Sequence, residues 1–163
     1  MTSSDTRPVQ TIPPEPSLSP VRTIKPDRTQ EPLVAFRDSV LLSLDNLQSA
    51  KEGLLLTYRT GDMTRVQQKA DEFVLMVRRS SELSNVPTKM DFVRLNYYDY
   101  VDQTSQFAKN FKEGADRYLA SDKASATSFF EAGIMASDRA DISEKRIRTF
   151  LSEHVLQVQI NQT

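Results

Sequence analysis

The sequence predicts an all-α fold: an antiparallel, up-down-up-down four-helix bundle with long third and fourth helices, preceded by a disordered Pro-rich N-terminal tail. Three observations predict it. Beyond residue 32, apolar side chains recur at three- and four-residue spacings, the period of an amphipathic helix. No segment sustains the period-two alternation of a half-buried strand. Seven of the eight prolines crowd into the opening stretch, at positions 8, 13, 14, 16, 20, 26 and 32.

Residues 1–31 are expected to form a disordered Pro/Ser/Thr-rich tail or stalk. They hold no Gly and none of the chain's 8 Phe and 5 Tyr, and their apolar residues (Val9, Ile12, Leu18, Val21, Ile24) stand isolated. Such a stretch buries too little surface to offset its ordering entropy, and its prolines bias it towards polyproline-II conformers. Arg7, Arg22, Lys25 and Arg28 cancel Asp5, Glu15, Asp27 and Glu31, so it is no polybasic arm. Pro13-Pro14-Glu15-Pro16 resembles a ligand for an aromatic groove, but no basic anchor flanks it, and a spacer is the plainer account.

The bundle is expected over residues 32–159, with helices at about 32–59, 63–84, 88–120 and 122–158. Pro32 suits a first helical turn, where its missing N–H costs nothing. Leu33, Phe36, Val40, Leu44, Leu47, Leu54, Leu55 and Tyr58 then share one arc about 100° wide. Gly61-Asp62 supplies a stop and the next N-cap. Met63, Val66, Ala70, Phe73 and Val77 carry the second stripe until Asn85-Val86-Pro87 breaks it. Thr88 and Asp91 have the spacing of a capping box. Met90, Val93, Tyr97, Tyr100, Val101, Phe107, Ala108, Phe111, Ala115, Tyr118 and Leu119 line the third helix, and Ala120-Ser121-Asp122 turns the chain. Ala126, Phe129, Phe130, Gly133, Ala136, Ala140, Ile147, Leu151, Val155 and Val158 line the fourth.

Unequal helix lengths predict an overhang. Helices of about 27, 22, 33 and 36 residues, aligned at Pro87, set Met63 level with Asn110 and leave helix 3 running about 18 Å past the helix 1–2 turn. Tyr118, Leu119, Phe129 and Phe130 would lie on this projecting hairpin, unless a kink near Gly114 or Gly133 folds it back. The same register brings Lys51 and Glu144 together as a seam ion pair; otherwise both snorkel to the seam edge.

Composition excludes several function classes. With 21 Lys+Arg against 22 Asp+Glu the net charge is -1, so nucleic acid is not an expected partner. The chain has no Cys, which removes disulfide scaffolds, thiolate catalysis and iron–sulfur clusters. The single histidine, His154, follows Leu151 by three residues, so the Glu-x-x-His pairs of di-iron bundles are missing. No phosphate-binding loop or nucleophile elbow is present. No enzymatic activity, cofactor or metal is expected. Lys145-Arg146-Ile147-Arg148 is a basic cluster, but Asp141–Lys145 and Glu144–Arg148 have favourable i,i+4 order, which predicts a self-neutralised face.

Phe92, Leu95 and Tyr98 lie well off the core direction of helix 3 and form the candidate interaction surface. The expected function is therefore a non-enzymatic interaction or sensor-type domain, binding a protein partner through its helix faces or its projecting hairpin. A small-molecule sensor bundle, with Lys51, Tyr97 and Tyr100 around a pocket, is the alternative, as is a structural homo-oligomer. No run is long enough to insert in a membrane. The polar leader fits a stalk tethered through a removed N-terminal signal, as in a lipoprotein, which favours an extracytoplasmic location over a cytoplasmic one.

Overall fold

The structure is a computed structural model that describes residues 31–160. The expected tail lies outside the described residues, apart from Glu31, which opens the first helix. The described residues form four α-helices and no strand: α1 (Glu31–Arg59), α2 (Met63–Arg79), α3 (Asp91–Leu119) and α4 (Lys123–Ile160), with a 3₁₀ turn at Thr88–Met90 ahead of α3. None of these helices is long and apolar enough to cross a membrane.

Local chemistry sets the helix ends. Gly61 takes φ 78, a value open to glycine, and the Asp62 carboxylate accepts the Arg65 amide at 3.0 Å to start α2. Asp122 does the same for α4, accepting from the Ser125 amide at 3.2 Å. The Ser125 side chain first, and then its backbone amide, hold the Asp122 carboxyl below its usual range by hydrogen bonding. The Thr88/Asp91 capping box does not form. Neither Pro87 nor Met90 offers a side-chain cap, and Asp91 is engaged instead by Arg94 at 3.1 Å.

Helix α2 stops five residues short of the expected end. The Ser80 amide bonds back to Met76 and Val77, and Ser81 Oγ donates to the Arg78 carbonyl at 2.8 Å. Two consecutive serines thus offer the chain local bonds that compete with another helical turn. Asn85 then adopts φ 55.

That early stop moves the mismatch in helix length to the other end of the molecule. Gln67 Nε2 donates to Asp116, and Lys112 pairs with Asp71 at 2.7 Å. This antiparallel register sets Met63 level with the end of α3 rather than with Asn110. The expected projecting hairpin is therefore absent. Phe130 is only 4% exposed, with its ring 4.6 Å from Tyr58 and 5.3 Å from Phe111, so the end of α1 covers it. Tyr118 and Leu119 are exposed beside the turn and Phe129 is half-buried. No kink is needed, since α3 runs through Gly114 and α4 through Gly133 without a break.

The core is one continuous cluster. Phe36, Val40, Leu44, Leu47 and Leu54 of α1 pack with Val66, Phe73 and Val77 of α2, Val93, Tyr97, Tyr100, Phe107 and Phe111 of α3, and Ala140, Ile147 and Leu151 of α4. Antiparallel neighbours are fixed by Asp45 with Arg148 and Lys51 with Asp141 between α1 and α4, and by Asp99 with Ser143 between α3 and α4. Beyond Arg79, the segment 80–87 takes the place α2 has vacated. Tyr97 Oη donates to the Ser80 carbonyl at 2.6 Å and accepts from Ser43 Oγ at 2.6 Å, because its one proton goes to an atom that only accepts.

Candidate functional site

The outer face of α3 and α4, at the end where α2 has already stopped, carries the most developed surface feature. Phe92 stacks on Phe150 with ring centroids 4.8 Å apart and planes 24° apart. His154 also stacks on Phe150, at 3.9 Å and 14°. Phe150 thus links Phe92 of α3 and His154 of its own helix in one row of stacked contacts. The His154 ring is held by its own helix: Nδ1 donates to the Phe150 carbonyl at 2.9 Å, leaving Nε2 towards solvent. One turn of helix separates Phe150 from His154, which is the spacing such stacking needs.

Beside this row runs an open groove of about 510 Å³, lined by Phe92, Ile142, Lys145, Arg146, Thr149, Phe150 and Glu153. Ile142 is 54% exposed, and Met135, two turns earlier on the same face of α4, is exposed as well. Residues seven apart return to nearly the same side of a helix, so this stripe is a second apolar face of α4, distinct from its core stripe.

The electrostatics of the groove trace back to the core. Lys51 is 1% exposed, and its ammonium is paired with Asp141 rather than with the expected Glu144. Glu144, one turn along, pairs with Arg148 at 2.8 Å, and Arg148 also reaches Asp45 of α1 at 2.6 Å. Asp141 is thereby withdrawn from Lys145, so the expected Asp141–Lys145 pair does not form. Among the described residues, neither Lys145 nor Arg146 is ion-paired, and both line the groove. Of the cluster's three cations, Arg148 is neutralised and the other two are presented.

Of the three surface residues expected from the sequence, Phe92 is 44% exposed and reaches the groove. Leu95 and Tyr98 are exposed on the adjoining outer side of α3 and do not line it. Ile142, Phe150 and His154 were not part of the expected surface. The signal for Ile142 lay in the Met135–Ile142–Thr149 spacing, seven residues each time. Phe150 carried none, since its angular position lies between core and outer face.

Within the core, Tyr100 and Thr104 are fully buried, and neither hydroxyl meets hydrogen-bond geometry, although Thr104 is near enough to Tyr100 to moderate its pKa. Burial, reinforced by the Glu144 carboxylate, pushes the Tyr100 hydroxyl well above its usual pKa. Tyr97 is raised too, by burial first. Among the described residues no three His, Asp or Glu side chains gather as metal ligands. No protein-family model matches the chain, and no curated protein or solved structure is significantly similar to it.

Proposed function

We propose that this chain is a non-enzymatic interaction domain: an antiparallel up-down-up-down four-helix bundle that binds a protein partner through the outer face of α3 and α4. The row Phe92–Phe150–His154 carries this reading. Aromatic rings and Arg are the residues that dominate binding energy at protein interfaces, and here they adjoin an exposed Ile in a groove. Covering apolar surface yields about 25 cal/mol per Å², so a partner that closes this groove gains from the rings and from Ile142 together. The unpaired Lys145 and Arg146 at the rim favour a partner with acidic groups there. The projecting hairpin has no part in the reading.

Differential retention tests it. Tagged full-length chain carrying Phe92→Ala and Ile142→Ser should lose, from native extract, a protein that the unaltered chain and a Leu56→Ser control retain. Identical retention by all three chains refutes the reading.

A second reading, a small-molecule sensor bundle, draws on the hydroxyls of Tyr100 and Thr104, which lack well-formed hydrogen bonds, near the carboxylates of Glu144 and Asp141. A small polar ligand bridging them would raise the melting temperature of the unaltered chain and leave that of a Tyr100→Phe variant unmoved.

A further inference from the structure

The groove on α3 and α4 matches a segment of the chain itself. We propose that Pro13-Pro14-Glu15-Pro16-Ser17-Leu18-Ser19-Pro20 lies in this groove when no partner occupies it, so that the leader is an internal competitor of the partner. The inference rests on the reading of this face as a docking surface.

Chemistry favours the match. Four of these eight residues are proline. Proline-rich segments dock in aromatic-lined grooves because their extended conformation is already paid for and their flat rings pack on aromatic faces. The groove offers Phe92, Phe150 and Ile142 for those rings and for Leu18. Glu15 is the segment's single charge, and Lys145 and Arg146 are the unpaired cations of the groove. The absence of a basic anchor beside Pro13–Pro16, which counts against an acidic groove, suits a groove whose two cations, Lys145 and Arg146, outnumber its one anion, Glu153.

Reach is sufficient. The pairs Asp45–Arg148 and Lys51–Asp141 fix α1 against α4, so Glu31 stands at the same end of the bundle as Phe150. It lies beyond Phe150 by about 11 residues of rise, roughly 17 Å. Residues 21–30, at about 3.1 Å each, span roughly 31 Å. That is enough to come back 17 Å and round one helix about 10–12 Å across. The tether also makes a weak contact adequate. At an effective concentration near 1 mM, an intrinsic Kd of about 0.1 mM fills the groove roughly nine-tenths of the time.

The 163-residue chain has no cysteine, so Ser17→Cys in that chain takes a single nitroxide label. Amide peaks of residues 92–95 and 142–153 should lose height with the label oxidised and recover when it is reduced, while peaks at Gly61 and Ser121, at the far end, keep theirs. Lys145→Glu with Arg146→Glu should restore the lost height. In a sample mixing labelled chain with isotope-enriched unlabelled chain, the enriched peaks should be unaffected. Losses confined to the groove beside Pro32, Phe36 and Asn85, losses at no described residue, or losses equally strong in the mixed sample each overturn the proposal. The two readings fail separately: height losses without differential partner retention leave this proposal standing alone, and retention without height losses removes it alone.

Discussion

Phe111 of α3 packs against Gly133 of α4, so close that a Cβ built on Gly133 would stand 2.6 Å from its ring. The relation is reciprocal, since a Cβ on Gly114 would meet the Phe130 ring at 2.7 Å. Each helix gives the other's phenylalanine a glycine to rest on, and Tyr58 and Phe107 brace the pair from the sides.

Alanine at Gly133 or Gly114 should therefore destabilise the fold. Overpacking costs about 1–3 kcal/mol, set against a helical preference of Ala over Gly of about 1 kcal/mol. Gly53 is the contrasting case, with only the tip of Lys69 nearby at 3.9 Å. Gly53→Ala should stabilise by about 0.5–1 kcal/mol. Urea midpoints moving in opposite directions for Gly133→Ala and Gly53→Ala would bear this out, and equal shifts would not.

Lys51 presents a buried charge with one half-exposed partner, Asp141. Asp141→Ala leaves the ammonium unpaired and should cost about 1–2 kcal/mol, trimmed by solvent at the carboxylate. Lys51→Met keeps the volume without the charge and should lie within about 1 kcal/mol of the unaltered chain. Adding Asp141→Ala to Lys51→Met should then cost almost nothing more. A double-mutant cycle on urea unfolding checks the non-additivity.

Alkaline pH should unfold the domain through Tyr97 and Tyr100. Both hydroxyls titrate above their usual value when folded, so the fold binds protons that the unfolded chain releases. Their contribution is complete below about pH 10 and falls as pH rises beyond it, by at most about 1.4 kcal/mol per pH unit for each tyrosine and only until its folded-state value is passed. Tyr100→Phe should remove one of these slopes. At neutral pH it should be neutral or slightly stabilising, because the lost hydroxyl makes no well-formed hydrogen bond, its neighbour Thr104 falling short of that geometry. Urea unfolding at stepped pH from 7 upwards measures both effects.

The helical stripes were legible because core burial follows a 3.6-residue period. Each apolar residue expected on the α2 stripe, from Met63 to Val77, is buried. What periodicity does not encode is register between helices. The overhang was misplaced because one alignment point, Pro87, stood in for the whole of the α2–α3 packing, whereas the serine-capped end of α2 let eight non-helical residues absorb the mismatch. The partner of Lys51 was missed by one helical turn for the same reason. Of the surface, Phe92 was visible as an apolar residue off the stripe. Phe150 was not, since its angle alone does not say whether it faces the core or another ring.

Outer-face substitutions should separate stability from binding. Ile142→Ser removes an exposed side chain and should change unfolding by no more than about 0.5 kcal/mol. Phe130→Ala removes a buried one and should cost about 3–5 kcal/mol. Equal destabilisation by the two would mean that the α3–α4 face belongs to the core rather than to a partner.

Photo-cross-linking in the cell of origin tests the central claim most directly. A photoreactive residue at Ile142 or Leu95 of the full-length chain should join it to one protein of defined mass. The same residue at Leu56, exposed on α1, should not yield that product. An identical pattern from all three positions, or cross-links at Leu56 alone, would contradict the assignment of the outer α3–α4 face as the binding surface.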